Sequence, residues 1–196
     1  MEFQDVVRKR RMVRKFTDEP VSDESVRRIM RNAVRGPSAG FSQGQGFLVL
    51  QGESLQRYRE KFFEVWASEE TMAAPVVVVP MSAKDVYLDR YAQPDKGWTD
   101  RSEDHWPVPY WHIDTGMAAL LILQTVVDEG LGAVFFGMPR ETWAAFREEF
   151  GVPEAYEPIG AIAVGHAAES ELSQDASPRR RKRAAFEEVV RWGRWE

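Results

Sequence analysis

The chain has 196 residues, 43% of them hydrophobic, and a formal net charge of −5. This length suits one compact domain, because two domains would each be small. The lack of cysteine excludes disulfides and cysteine-ligated zinc, and the three histidines lack the spacing of a metal site. With no apolar run long enough to cross a bilayer and no signal segment, we expect a cytoplasmic protein without membrane contact.

Two basic clusters stand out in this acidic chain. Residues 8–15 read RKRRMVRK, and residues 178–183 read PRRRKR. Together they hold 11 of the 26 lysines and arginines, which leaves 15 bases against 31 acids in the rest of the chain. A nucleic-acid binder usually has a broad basic face with aromatic side chains among its cations, and neither cluster has this pattern. We therefore expect no nucleic-acid partner, and the clusters call for another anion.

The first half of the chain predicts three helices and two strands. Residues 2–11 favour a helix with a narrow apolar stripe. A second helix begins at Ser22, a plausible N-cap followed by acids, and Gly36 and Pro37 end it. A glycine-containing loop, an apolar strand, a helix and a proline-bounded strand follow in order at residues 37–46, 47–50, 53–68 and 75–80.

The second half contains the least regular part of the chain. Residues 85–109 lack clear periodicity and are rich in aromatic residues and proline, which is typical of a functional segment. Residues 110–129 predict the longest helix, apolar nearly all round, so we expect it at the centre of the fold or at an interface. A third strand, an amphipathic helix, a fourth strand and a short helical or strand-like tail follow at residues 133–136, 141–150, 159–164 and 186–195. These elements predict one α+β domain over residues 1–196, with a central sheet of four or five strands and helices on both faces.

The order of several short motifs resembles the nitroreductase family of FMN-dependent oxidoreductases. RR-x-V-R-x-F follows the first helix, PSA ends the second, GLG precedes FFG in the third strand, and VGH ends the last strand before FEEVV. Each motif is weak alone, but their order covers nearly the whole chain. The resemblance implies a three-layer sandwich and a homodimer with FMN sites at its interface. It also implies an exchanged C-terminal arm at residues 179–196 and a lid at residues 85–109.

The resemblance also assigns residues to the FMN. The basic segment would lie near the phosphate and ribityl chain, and the loop after the second helix would run along the flavin. The end of the third strand would pack on the ring and donate a main-chain N–H to its reactive nitrogen. C-terminal arginines would close on the phosphate. The cofactor-binding residues so implied are Arg10, Arg11, Met12, Arg14, Pro37, Ser38, Ala39, Gln43, Phe136, Gly137, Met138, Arg181 and Arg183. The substrate-pocket residues so implied are Phe41, Trp98, Trp106 and Tyr110.

The implied reaction is a ping-pong hydride transfer. NADPH or NADH reduces FMN and leaves, and an electron-poor small molecule, such as a nitroaromatic compound or a quinone, takes its place. Because the cofactor carries this chemistry, the chain needs no paired carboxylates or Ser-His-Asp order, and none is found. The pattern names neither a proton donor nor the physiological substrate, and it does not choose between NADH and NADPH.

The motifs do not separate this reaction from other flavin chemistry of the family, such as dehalogenation, dehydrogenation of peptides or fragmentation of the flavin. Two alternatives of a different class also stay open at this point. The family usually has Asn where Phe41 stands and often Ser where Met12 stands, and residues 44–46 also depart from the family pattern. This altered loop favours a protein that binds flavin for storage or sensing without turnover. The other alternative is a nucleic-acid binder that uses the basic clusters, whose binding would fall steeply with salt.

Overall fold

The computed structural model of the chain describes residues 1–62, 68–168 and 181–195. These ranges contain eight α-helices and five β-strands. The helices are α1 (Phe3–Lys9), α2 (Asp23–Ala33), α3 (Gly52–Phe62), α4 (Glu69–Met72), α5 (Lys84–Tyr91), α6 (Tyr110–Asp128), α7 (Trp143–Phe150) and α8 (Phe186–Val189). The strands are β1 (Gln45–Leu50), β2 (Val76–Ser82), β3 (Gly132–Phe136), β4 (Glu157–Pro158) and β5 (Ala161–Gly165).

The strands form one antiparallel sheet in the order β1-β2-β5-β3, with β4 paired to the end of β2. The register places Gly132 opposite Gly165, and we call this end of the sheet the glycine end. At the other end Ser82 pairs with both Gln45 and Glu157, and we call it the loop end. The outermost strands define a β1 edge and a β3 edge, which lie on opposite sides of the sheet.

The core occupies both faces of the sheet. Side chains alternate along β2, so Val77 and Val79 pack with the apolar faces of α3 and α7, while Val76 and Val78 pack with those of α2 and α6. Burying one such valine contributes about 1.5–3 kcal/mol, so a strand buried on both faces stabilises both layers. The result is the three-layer α+β sandwich with a five-stranded sheet that the motif order predicts.

Most predicted elements are confirmed within a few residues. The main error is at residues 85–109, where α5 forms a regular helix as far as Tyr91. Tyr87 and Leu88 are buried on its inner side, but the run of mixed aromatic and charged residues hides the helical period in the sequence. α3 confirms the first part of the helix predicted over residues 53–68, and residues 63–67 lie outside the described residues.

The longest helix, α6, is buried on one side and open on the other. Ala118, Ile122 and Val126 are fully buried against the sheet and α2. Met117 and Leu120, on the opposite side, are 37% and 45% exposed. Among the described residues no helix has the length and apolar character needed to cross a membrane.

Candidate functional site

The basic segment of residues 10–16 lies against the glycine end of β3. Met12 pairs with Ala133 in a parallel bridge, and the Val13 N–H donates to the Ala133 carbonyl at 2.8 Å. Gly132 permits this approach, because a Cβ there would lie 2.9 Å from the Val13 side chain. Packing therefore brings the first basic cluster to the β3 edge.

The residues of this segment differ in their surroundings. Arg14 is exposed, whereas Arg10 and Arg11 are half-buried, and Arg11 lines a cavity of about 530 Å³ at the glycine end. The Met12 side chain packs against both core layers, and its sulfur accepts from the Phe135 N–H at 3.5 Å. The arginines thus supply positive charge at the β3 edge, while the Met12 side chain belongs to the core.

The chain leaves β3 at the loop end through Phe136, Gly137 and Met138. The Met138 carbonyl accepts from Trp143 Nε1 at 3.3 Å, which anchors the turn to α7. Gly137 is exposed, and a Cβ on it would meet no atom of the described residues within 4 Å. The main chain at Gly137 is therefore open to the approach of a flat group.

A buried carboxylate fastens the loop of residues 37–43 at the β1 edge. Asp114 of α6 is 2% exposed, and its Oδ2 accepts from the Ala39 N–H at 2.8 Å and from the Tyr87 hydroxyl at 2.9 Å. Burial first, and then the hydrogen bond and charge of Asp114, raise the pKa of Tyr87, so the phenol stays protonated and keeps donating. The Ala39 N–H therefore bonds a group of the protein itself, and this bond holds the loop in shape.

Two non-glycine residues of this loop have left-handed backbone conformations. The φ angle is 55° at Phe41 and 57° at Gln43, in a region that large side chains rarely occupy. The Gln43 N–H donates to Ser38 Oγ at 3.0 Å, which helps to hold this conformation. The Phe41 residue is 76% exposed, so the loop presents an aromatic ring outward.

The other three predicted pocket residues, Trp98, Trp106 and Tyr110, belong to one aromatic cluster around Tyr91 of α5. The Tyr91 ring centroid lies 4.7 Å from that of Trp98 and 4.5 Å from that of Trp106, which in turn lies 5.9 Å from that of Tyr110. A Cβ on Gly40 would lie 2.6 Å from the Tyr91 ring, so the cluster contacts the loop directly. All four predicted pocket residues therefore lie at the β1 edge.

The predicted FMN-binding residues consequently form two groups at opposite edges of the sheet. The basic segment and the turn after β3 lie at the β3 edge, and the loop of residues 37–43 lies at the β1 edge. Four neighbouring strands span these edges, so they are about 14 Å apart at about 4.8 Å per strand pair. Arg181 and Arg183 are exposed, and residues 169–180 before them lie outside the described part of the chain. The described chain does not gather all the predicted residues into one site.

A cluster of polar side chains lies at the loop end, and no pattern in the sequence predicted it. His112 Nδ1 lies 2.9 Å from Ser82 Oγ, and His112 Nε2 lies 3.9 Å from Glu157 Oε2. Burial is the largest influence and lowers the pKa of His112, Glu157 raises it, and the positive charges of Arg140 and Lys84 lower it. These side chains are far apart in the sequence and meet only because β2 pairs with β4, so no local spacing could have revealed them.

Both the sequence and the fold are similar to those of known proteins. A family model described as "Nitroreductase family" matches residues 7–166. A protein of Archaeoglobus fulgidus, whose name gives NADH dehydrogenase/NAD(P)H nitroreductase, is 27% identical over 80% of each chain. A Staphylococcus aureus protein named "NADPH-dependent oxidoreductase" is also 27% identical, over 85% of this chain and 65% of its own length.

Solved structures show the same fold. A nitroreductase family protein from Clostridium difficile superposes with a TM-score of 0.73 at 21% identity, over 100% of both chains. A nitroreductase from Desulfovibrio desulfuricans, solved in complex with FMN, gives the same TM-score and identity over 100% of this chain and 99% of that one. At this level of identity the likeness establishes the architecture alone.

Proposed function

This chain belongs to the nitroreductase family of FMN-dependent oxidoreductases, and we propose that it runs a ping-pong cycle. In this cycle NADPH or NADH delivers a hydride, and an electron-poor small molecule, such as a nitroaromatic compound or a quinone, then accepts it. Because nicotinamide reductants are available in the cytoplasm, we propose that compartment as its site of action.

The division of the predicted FMN-binding residues between two edges is the observation that supports this proposal most directly. The β3 edge offers cations and open main chain, and the β1 edge offers a shaped loop with aromatic residues beside it. Two chains would bring both groups to a single FMN if the β3 edge of one chain faced the β1 edge of the other. We therefore propose a homodimer with two FMN sites at its interface.

Two exposed apolar surfaces support the dimer. On α6, Ile113, Met117 and Leu120 lie at helical spacing and are 42%, 37% and 45% exposed. In the C-terminal segment, Phe186, Val189, Trp192 and Trp195 are between 57% and 83% exposed. Exposed apolar groups of this size favour association, because covering them with a second copy removes them from water. We propose that the α6 face forms the dimer interface and that residues 179–196 are the arm that embraces the partner.

The residues at the β3 edge fit FMN chemically. The guanidinium groups of Arg10 and Arg14 suit a phosphate that carries nearly two charges, and the resemblance would add Arg181 of the C-terminal segment to them. The open main chain at Gly137 and Met138 suits a flat ring and would donate an N–H to its reactive nitrogen. When bound, FMN supplies the hydride chemistry, and the protein contributes binding, orientation and charge.

An absorption spectrum of the purified protein, repeated anaerobically after addition of NADPH or NADH, tests this function. We expect a yellow protein that bleaches with at least one of them and recovers its colour when a nitroaromatic compound is added. A yellow protein that neither reductant bleaches would favour flavin storage or sensing. A protein that neither carries nor takes up FMN would contradict the proposal.

A further inference from the structure

Three polar side chains from three elements meet at the loop end of the sheet. Ser82 ends β2, His112 lies in the first turn of α6, and Glu157 begins β4. His112 stands between the other two, 2.9 Å from the Ser82 hydroxyl through Nδ1 and 3.9 Å from the Glu157 carboxylate through Nε2. At 3.9 Å, the imidazole and the Glu157 carboxylate can attract each other by charge but do not form a hydrogen bond.

This cluster combines the residue types of a hydrolase triad, but its exposure argues against nucleophilic catalysis. A nucleophile must reach the substrate, and Ser82 is only 1% exposed. The side chains of His112 and Glu157 are 39% and 40% exposed. A ligand can therefore reach the imidazole at Nε2, while the buried Ser82 hydroxyl bonds Nδ1 and orients the ring.

The hydrogen bond from Ser82 suits a histidine that changes its protonation state. A serine hydroxyl is both a donor and an acceptor. It can donate to Nδ1 when the imidazole is neutral and accept from Nδ1–H when the imidazole is charged. His112 therefore keeps this bond, and its orientation, whether or not it carries the second proton.

The cluster lies at the same end of the sheet as the main chain that would hold the flavin ring. Phe136 is at the loop end of β3, the end at which Ser82 pairs with Glu157. Arg140, two residues beyond Met138, is close enough to influence the protonation of His112. His112 thus lies at the same end of the sheet as the turn that the resemblance assigns to the reactive edge of the ring.

Charged groups from three elements act on the protonation of His112 in opposite directions. Glu157 of β4 favours the imidazolium, whereas Lys84 of α5 and Arg140 after β3 disfavour it, in addition to burial. A negative charge that develops on a bound substrate would add to the effect of Glu157 and favour the charged form. A histidine in such surroundings can gain a proton when negative charge develops beside it and release the proton afterwards.

We propose that His112 is the proton donor of the second half of the cycle. A substrate that has accepted a hydride, which is two electrons and one proton, carries one negative charge more than before. The proton on His112 Nε2 transfers to that anion, the N–H bond breaks as a new bond to the substrate forms, and solvent then returns a proton to the imidazole. This inference rests on the function proposed above and adds a catalytic residue to it.

The test measures the two half-reactions separately by anaerobic stopped flow. His112→Asn keeps a group that can bond Ser82 but holds no transferable proton. We expect reoxidation by a nitroaromatic compound to slow by about 100-fold in this variant, the low end of general acid catalysis. Bleaching by NAD(P)H, and reoxidation by ferricyanide, which accepts single electrons and needs no proton, should stay within about twofold of the wild type.

The second readout is the protonation of His112 itself, followed by NMR against pH. With only three histidines in the chain, the imidazole signals can be assigned by substitution. Glu157→Gln removes the negative charge beside Nε2, so the titration of His112 and the high-pH fall of the nitroaromatic rate should both move to lower pH. Glu154→Gln, at an exposed glutamate in the preceding turn, is the matched control and should move neither.

The outcomes separate this inference from the proposed function. A yellow protein that NAD(P)H bleaches, but whose His112→Asn variant keeps the wild-type nitroaromatic rate and pH profile, would overturn the inference alone. The same holds if Glu157→Gln leaves the His112 titration in place. A protein that NAD(P)H does not bleach overturns the proposed function, and the inference with it.

Discussion

The two edges of the sheet are built by different means. At the β3 edge, the basic segment is held by main-chain pairing and directs charged side chains outward. At the β1 edge, the loop of residues 37–43 is held by a buried carboxylate and contains two strained residues. A phosphate is recognised mainly by charge, which flexible arginines supply, whereas a flat ring and its substrate need a surface of fixed shape. Substitutions at the two edges test this contrast, and their expected effects differ in size.

The largest effect is expected at the charged edge. Replacing Arg10 and Arg181 together by Ala should weaken FMN binding by about 10³-fold, or about 4 kcal/mol, because two charge-assisted hydrogen bonds to the phosphate are lost. Fluorescence titration with FMN measures the change, and size-exclusion chromatography checks that the dimer persists. Lys9→Ala with Lys182→Ala removes the same charge from the same two clusters and should retain FMN. Equal losses in both double variants would show that only net charge matters.

At the shaped edge, Asp114→Ala should lower the free energy of unfolding by about 3 kcal/mol. The substitution leaves the Ala39 N–H and the Tyr87 hydroxyl without their buried acceptor, and each unsatisfied group costs about 1–3 kcal/mol. Urea unfolding measures the loss. Asp104→Ala, at an exposed acid, should change it by less than about 0.5 kcal/mol. A small effect of Asp114→Ala would mean that the loop keeps its shape without the carboxylate.

A gain in stability is expected from Phe41→Asn. Asn tolerates the left-handed conformation better than Phe, so relief of strain should raise the free energy of unfolding by about 1 kcal/mol. Phe41→Leu keeps a large apolar side chain in the same strained conformation and should show no gain. If both variants match the wild type in urea unfolding, the backbone at this position carries no measurable strain.

The smallest effect concerns pH and His112. Because burial lowers the pKa of His112 in the folded state below its ordinary value of 6.5, the unfolded chain takes up a proton first as the pH falls. The contribution of His112 to stability is therefore complete above pH 6.5 and is lost as the pH falls through the folded pKa. Unfolding in urea between pH 8 and pH 5 should show a shallower loss for His112→Asn than for the wild type. Parallel curves would contradict the direction of the shift.

Local sequence patterns determined most of the elements. The four consecutive valines of β2 predicted a buried strand, and Ser22 predicted the start of α2, where its hydroxyl accepts the Ser25 N–H at 3.1 Å. These signals are local, because apolar runs and helix caps depend on residues a few positions apart. α5 was not predicted, because its few buried residues do not form a helical repeat in the sequence. Their packing partners, which lie far away in the chain, show which side of the helix is buried. The motif order supplied the candidate FMN residues and the family.

The grouping of those residues depends on how the chain packs in three dimensions. Strand order placed the basic segment and the loop of residues 37–43 at opposite edges, and strand register placed Ser82 beside Glu157 under His112. Neither arrangement follows from residue spacing, because the pairing of strands depends on long-range contacts that the whole core stabilises together. The sequence by itself thus determined the elements and the kind of chemistry, and the packed sheet decided which side chains can act together.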